Sequence, residues 1–265
     1  METKDSFQED LDDEELQELV LEAQREALAK AAEEKNHPRT YRPFPRWTFW
    51  VMAITLALST FAIIFQIFSI PAIEFLKTSS ELSKNPQVAL YKEAVVVVST
   101  GDSKGTGFSI NESGTILTNY HVIEGNETVM ISFPEGDMYK GTVTRTFRNI
   151  DLAVVEVRDE HLPHLKLADR THFTDHEPIT FIGNPLSFSG IANKGHVLNY
   201  IQLPDWERPV VMIKAPVYRG NSGSPVINAK GEVIGVIFAT LNEEQHGKVG
   251  LFIPIDAYYD EIENM

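Results

Sequence analysis

The chain contains no cysteine. That excludes disulfide bonds, a cysteine nucleophile and thiolate metal sites, and it is compatible with an exported protein without requiring export. Basic residues are also scarce. The 23 Lys and Arg stand against 38 Asp and Glu, a formal net charge of −15. A polyanionic partner would be repelled by such a chain, so nucleic acid is not expected as a ligand. Between Trp47 and Ile70 charge of either sign is missing altogether. In a chain of 265 residues this leaves room for one ordinary domain plus attachments.

The uncharged stretch sets the organisation before it. As a helix, Trp47–Ile70 rises roughly 36 Å, against about 30 Å of bilayer hydrocarbon. Trp47 and Trp50 sit at one end as an aromatic belt would, Pro71 and Glu74 close the other, and Gln66 is the strongly polar side chain inside. A buried core helix would need a larger protein around it. A signal peptide is usually shorter and is followed by a small-residue cleavage site. The expectation is a single transmembrane helix at 47–70. Arg39, Arg42 and Arg46 precede it in a proline-rich linker, so the positive-inside tendency puts the N-terminus in the cytoplasm and the rest outside.

Residues 1–46 then form an acidic cytoplasmic tail with a basic juxtamembrane end. Leu16, Leu19, Val20, Ala23, Ala27 and Ala31 recur at helical spacing, which predicts a solvated helix or a disordered tail. A docking tail is the alternative reading. Residues 71–90 read as a short polar stalk. From 91 to 265 short apolar runs alternate with Gly, Asn and Asp turns, the pattern of an all-β protein. Val95–Val98, Gly107–Ile110, Ile116–Thr118, Thr128–Phe133, Thr142–Thr146 and Leu152–Val157 are the predicted strands of one barrel. Ile179–Ile182, Val197–Ile201, Val210–Ile213, Val226–Ile227, Val233–Phe238 and Gly250–Ile253 are those of a second. Residues 158–177 read as a polar connector, and Ile255–Glu263 as a closing helix.

Chemistry points first to Arg219-Gly220-Asn221-Ser222-Gly223-Ser224-Pro225. A serine between glycines on a tight turn can present its hydroxyl while the N–H groups of Gly220 and Ser222 converge on one point, as an oxyanion hole requires. A serine hydroxyl is a weak nucleophile without a base. His121, in Leu117-Thr118-Asn119-Tyr120-His121-Val122-Ile123, is the candidate base. Asp151, in Asp151-Leu152-Ala153, is the candidate orienting acid. Taken singly, each residue is as well explained by an ordinary loop.

Taken together with Gly105-Thr106-Gly107-Phe108 and Ile182-Gly183-Asn184-Pro185, these segments, in order over about residues 88 to 256, resemble the protease domain of the HtrA/DegP family of trypsin-like serine proteases. The resemblance implies two six-stranded antiparallel β-barrels of chymotrypsin-like kind with the active site between them. It implies a catalytic triad of His121, Asp151 and Ser222, an oxyanion hole at Gly220 and Ser222, polypeptide substrates, no cofactor, and relatives that assemble as homotrimers. Two departures stand out. Ser224 occupies a position where most of the family has glycine, and Gly-Asn-Ser-Gly-Ser-Pro is similar instead to the staphylococcal glutamyl endopeptidases. No PDZ domain is expected after the barrels.

The substrate pocket is expected at Pro216, Val217, Val236, Ile237 and Phe238. Ile234–Phe238 carries no histidine of the kind the similar glutamyl enzymes use to receive a glutamate, and Lys214–Val217 carries no acid to receive lysine or arginine, so cleavage after small aliphatic residues is the expectation. Val236 to Ala239 would pair with an extended substrate as an added strand. His161, His164, His172 and His176 have spacings that ligands can use, yet read as surface histidines, and no metal site is expected. A chaperone-like binding protein and a membrane scaffold acting through its acidic tail are the alternatives to the protease.

Overall fold

Valine and isoleucine crowd the segments from Val95 onward, and β-branched side chains favour the pleated, half-buried surface of a sheet. In the computed structural model, which describes residues 13–36, 45–159, 161–186, 188–204 and 206–264 (side chains excepted at 13, 14, 34, 36 and 63–74), those segments close into two barrels. The first comprises β1 (Val95–Ser99), β2 (Lys104–Ser109), β3 (Thr115–Asn119), β4 (Thr128–Ser132), β5 (Met138–Phe147) and β6 (Leu152–Glu156), in the order β1-β2-β3-β6-β5-β4. The second comprises β7 (Pro178–Gly183), β8 (Ile191–Ile201), β9 (Val210–Lys214), β10 (Pro225–Ile227), β11 (Val233–Glu243) and β12 (Gly247–Pro254), in the order β10-β11-β12-β9-β8-β7. Every strand pairing within the barrels is antiparallel, as the sequence led one to expect. Closure leaves few free edges, one of them on β11, which runs on past its last pairing with β10 at Val236.

Each barrel is filled from its own strands. Val96, Ile116, Ile131 and Val155 are fully buried in the first, and Phe181, Ile213, Val226 and Phe252 in the second. The core that contains the second barrel also takes in Phe108 and Leu117 of the first, so the barrels share packing at their junction. The final helix, Ile255–Glu263, lays Ile255, Ala257 and Tyr258 onto that core.

Most of the described residues before β1 are helical. The predicted solvated helix is found as α1 (Asp13–Asn36), with its described side chains exposed. The uncharged stretch lies in α2 (Arg46–Leu82), a single helix of 37 residues. Among the described residues no helix is long and apolar enough to cross a membrane. The expected span at Trp47–Ile70 runs past residue 62 into side chains outside the described ones, and residues 47–62 alone rise roughly 24 Å, short of a bilayer core.

The expected stalk at 71–90 is corrected. Helix α2 continues through it to Leu82, and α3 (Pro86–Glu93) follows at once. Asn85 caps α3, its side chain accepting a hydrogen bond from the Gln87 N–H, with Pro86 in the first turn where no donor is needed. Val88 and Leu82 pack on the barrel core. The segment is an integral layer of the domain, not a tether.

Candidate active site

Strand register brings the first two candidates together. β3 and β6 pair so that Asn119 lies opposite Leu152. The residues just beyond, on the one-turn helix Tyr120–Ile123 and on the turn before β6, therefore emerge at one end of the same ladder. There His121 Nδ1 stands 2.7 Å from Asp151 Oδ2, and the His121 backbone N–H donates to Asp151 Oδ1 at 2.9 Å. Two bonds to one carboxylate fix both its position and the ring's orientation. A carboxylate facing Nδ1 calls for the proton on that nitrogen, which leaves Nε2 to accept another. Asp151 adopts φ +53°, a left-handed conformation that Asp tolerates better than most residues. Its carbonyl accepts from Tyr120 N at 3.1 Å and Asn119 Nδ2 at 2.9 Å, which hold that conformation.

Ser222 arrives from the other barrel, in the loop between β9 and β10. Thr106 N–H donates to the Ser222 carbonyl at 2.8 Å, tying this loop to β2 of the first barrel. Gly223 N–H donates to the Ile237 carbonyl, and Ile237 N–H to that of Ser224, which tie it to β11. Gly223 has φ +87°, and a Cβ there would lie 1.8 Å from the Thr106 carbonyl oxygen, so only glycine fits. The Ser222 hydroxyl donates to the Phe238 carbonyl at 3.4 Å, a long bond. Among the described residues it makes no hydrogen bond to His121. The structure thus joins His121 to Asp151 and leaves Ser222 turned to the strand beside it.

The peptide planes around Gly220 are pinned from outside. Leu186 N–H donates to the Arg219 carbonyl at 2.9 Å, and Thr106 Oγ1 donates to the Gly220 carbonyl at 2.7 Å. The same threonine hydroxyl accepts from Asn184 N–H at 2.9 Å. In a trans peptide the N–H points opposite to the carbonyl that precedes it. The Gly220 and Ser222 N–H groups have no acceptor among the described residues.

Residues 105–236 match the trypsin-like peptidase domain family. That stretch contains His121, Asp151 and Ser222, and the chain is similar to proteins named as DegP-like serine endoproteases. HhoB of Synechocystis sp., named as a serine protease, is 34% identical over 167 residues, covering 61% of this chain and 40% of that protein. A protein of Halomonas elongata, named as a DegP-like periplasmic serine endoprotease, is 33% identical over 162 residues, covering 60% and 34%. The chain spans less than half the length of these curated relatives. Among solved structures, the Rv3671c protease in its inactive form is 26% identical with a TM-score of 0.61, covering 69% of this chain and 94% of that one.

In this trypsin-like domain a cavity of about 320 Å³ opens beside Ser222. Val217, Ile237 and Phe238 line it, as does Tyr218. Pro216 and Val236 lie outside its lining. Pro216 is exposed at the surface, and Val236 is fully buried one residue before Ile237, where strand alternation turns its side chain away. Lys248 from β12 stands at the cavity too, its ammonium 5.7 Å from the centre of the Tyr218 ring. Among the described residues no three His, Asp or Glu side chains gather as a metal site would require.

Sequence reasoning reached Thr106 only as part of a matching segment and missed the work of its hydroxyl. It passed over Leu186, whose backbone N–H carries the contact and which therefore leaves no side-chain signature. Asn184 was quoted for resemblance. Its buried amide donates to the Val96 carbonyl at 2.8 Å and accepts from Gly190 N–H at 2.8 Å, bracing the loop that presents Leu186.

Proposed function

We propose that this domain is a serine endopeptidase that hydrolyses peptide bonds of extended or unfolded polypeptides outside the cytoplasm. The observation that carries the reading is the doubly bonded His121–Asp151 pair, on the same barrel to which Thr106 fastens the Ser222 loop. In the mechanism Ser222 Oγ attacks the scissile carbonyl and breaks its C=O π bond. His121 Nε2 takes the hydroxyl proton and later delivers it to the leaving amine. Asp151 holds the Nδ1–H and stabilises the imidazolium. The N–H groups of Gly220 and Ser222 receive the oxyanion. Water then enters where the amine left, and the same base returns the serine.

Val217, Ile237 and Phe238 favour a small or medium aliphatic residue at P1, and the backbone of β11 beyond Val236 pairs with the substrate as an added strand. The uncharged helix from Trp47 anchors the enzyme in the membrane, with α1 on the cytoplasmic side. Relatives named as periplasmic proteases support an extracytoplasmic catalytic domain. Assembly as a homotrimer rests on the family resemblance alone.

Ser222→Ala is expected to cut peptide hydrolysis by about 10⁴- to 10⁶-fold. Undiminished turnover in that variant would remove Ser222 from the mechanism. One observation favours a holding role with little turnover, namely the bond from Ser222 to Phe238 in place of His121. Reaction with a fluorophosphonate separates the two readings, because only an activated serine is labelled rapidly. Cleavage-site mapping on unfolded casein tests the pocket. A preponderance of Glu, Lys or Arg at P1 would refute the aliphatic preference.

A further inference from the structure

Helix α2 ends against the two loops that set the oxyanion hole. Phe75 is buried, at 6% exposure, and its ring meets that of Tyr218 edge-to-face, with centroids 5.1 Å apart at 84°. Tyr218 leads directly into Arg219-Gly220, its carbonyl accepts from Asn221 N–H, and it lines the cavity beside Ser222. One helical turn on, the buried Ser79 hydroxyl accepts the Ala192 N–H at 3.0 Å. Ala192 lies at the start of β8, just after the loop whose Leu186 N–H holds the Arg219 carbonyl. Phe75 therefore touches one side of the Gly220 turn, and Ser79 the segment that pins its other side. A serine buried on a helix costs desolvation unless its hydroxyl is partnered, and its partner here belongs to the active-site framework.

We propose that Phe75 and Ser79 are positioning residues for catalysis, and that α2 is the strut that holds the oxyanion loop and the pocket wall in register. This rests on the serine-endopeptidase reading. Neither residue touches the reacting atoms. Phe75 limits where Tyr218, and hence Gly220, can sit. Ser79 fixes the base of the loop that orients the peptide before Gly220. Edge-to-face pairs and a satisfied buried N–H each contribute modestly to stability, yet the rate depends on donors being held within a fraction of an ångström.

The test uses the full-length protein in detergent, read by fluorophosphonate labelling rate and by kcat and KM on a peptide, well below the melting temperature. Phe75→Ala and Ser79→Ala are expected to slow labelling and lower kcat by about 10- to 100-fold. Phe75→Tyr keeps the ring edge and is expected to stay within about threefold of wild type. Val88→Ala removes comparable packing from α3 without touching either loop, and keeps the wild-type labelling rate while lowering the melting temperature. If Phe75→Ala does not fold, Phe75→Leu decides, since it fills the site without a ring: slowed labelling at an unchanged melting temperature supports the strut. Folded Phe75 and Ser79 variants that label as fast as wild type would overturn it, as would Val88→Ala losing labelling in the same proportion as its stability. A wild-type protein inert to both probe and peptide would defeat the endopeptidase reading itself, and the strut with it.

Discussion

Asp151 combines two demands that few residues meet. Its backbone is left-handed, and its carboxylate must receive both the His121 N–H and Nδ1–H. Asparagine tolerates the same backbone, so Asp151→Asn is expected to fold normally yet lose about 10³- to 10⁴-fold in kcat, because an amide cannot hold the imidazole in the required tautomer and charge. Circular dichroism alongside peptide hydrolysis would check both halves of that statement. Thr106 makes a parallel case. Thr106→Val removes the hydroxyl shared by the Gly220 carbonyl and the Asn184 N–H, leaving the buried Asn184 N–H unpaired at about 1–3 kcal/mol and the partly buried carbonyl at less. Thr106→Ser keeps the hydroxyl, and recovery of labelling in that variant but not in Thr106→Val would show that the bond, and not the methyl group, matters. Gly223→Ala combines a forbidden backbone angle with a clash on Thr106, so loss of both labelling and stability is expected.

At the level of elements, the strands were readable because each is a short apolar run bounded by turn residues. The predicted Ile116–Thr118 and Leu152–Val157 differ from β3 and β6 by a residue or so at their ends. Such runs also identify their own load. Phe108, on β2 and fully buried in the core shared by the barrels, is expected to cost about 3–5 kcal/mol when replaced by alanine, measurable by denaturant unfolding. The helical layer at 71–93 was not read correctly. Lys77, Thr78, Ser79, Ser80, Lys84 and Asn85 give it the polarity of a linker. A signal was nonetheless present. Phe75, Ser79 and Leu82 recur at helical spacing, and all three face the barrels. The eye discounts a stripe whose middle member is serine, because its partner is a backbone N–H more than a hundred residues away. The same limit hid Leu186, since a backbone donor has no side-chain identity to recognise. The triad candidates were legible through their flanking segments, whereas the turn of Ser222 toward Phe238 lies in a side-chain angle that no sequence pattern encodes.

The molecule as a whole divides its labour along the chain: a charged helix, an uncharged helical stretch, then two barrels with a shared core. If the uncharged stretch anchors the enzyme, full-length protein will resist alkaline extraction from membranes, and protease added outside spheroplasts will leave residues 13–36 intact. Release by alkali would refute the anchor while leaving the hydrolase untouched. The continuity of α2 from Arg46 to Leu82 bears on any attempt to purify the protein without its uncharged segment. The tempting place to cut is the polar sequence just before the barrels, since it looks dispensable. A chain begun at residue 83 would discard the aromatic edge and the hydroxyl that meet Tyr218 and Ala192, and low specific activity in such a preparation would measure where the scissors fell.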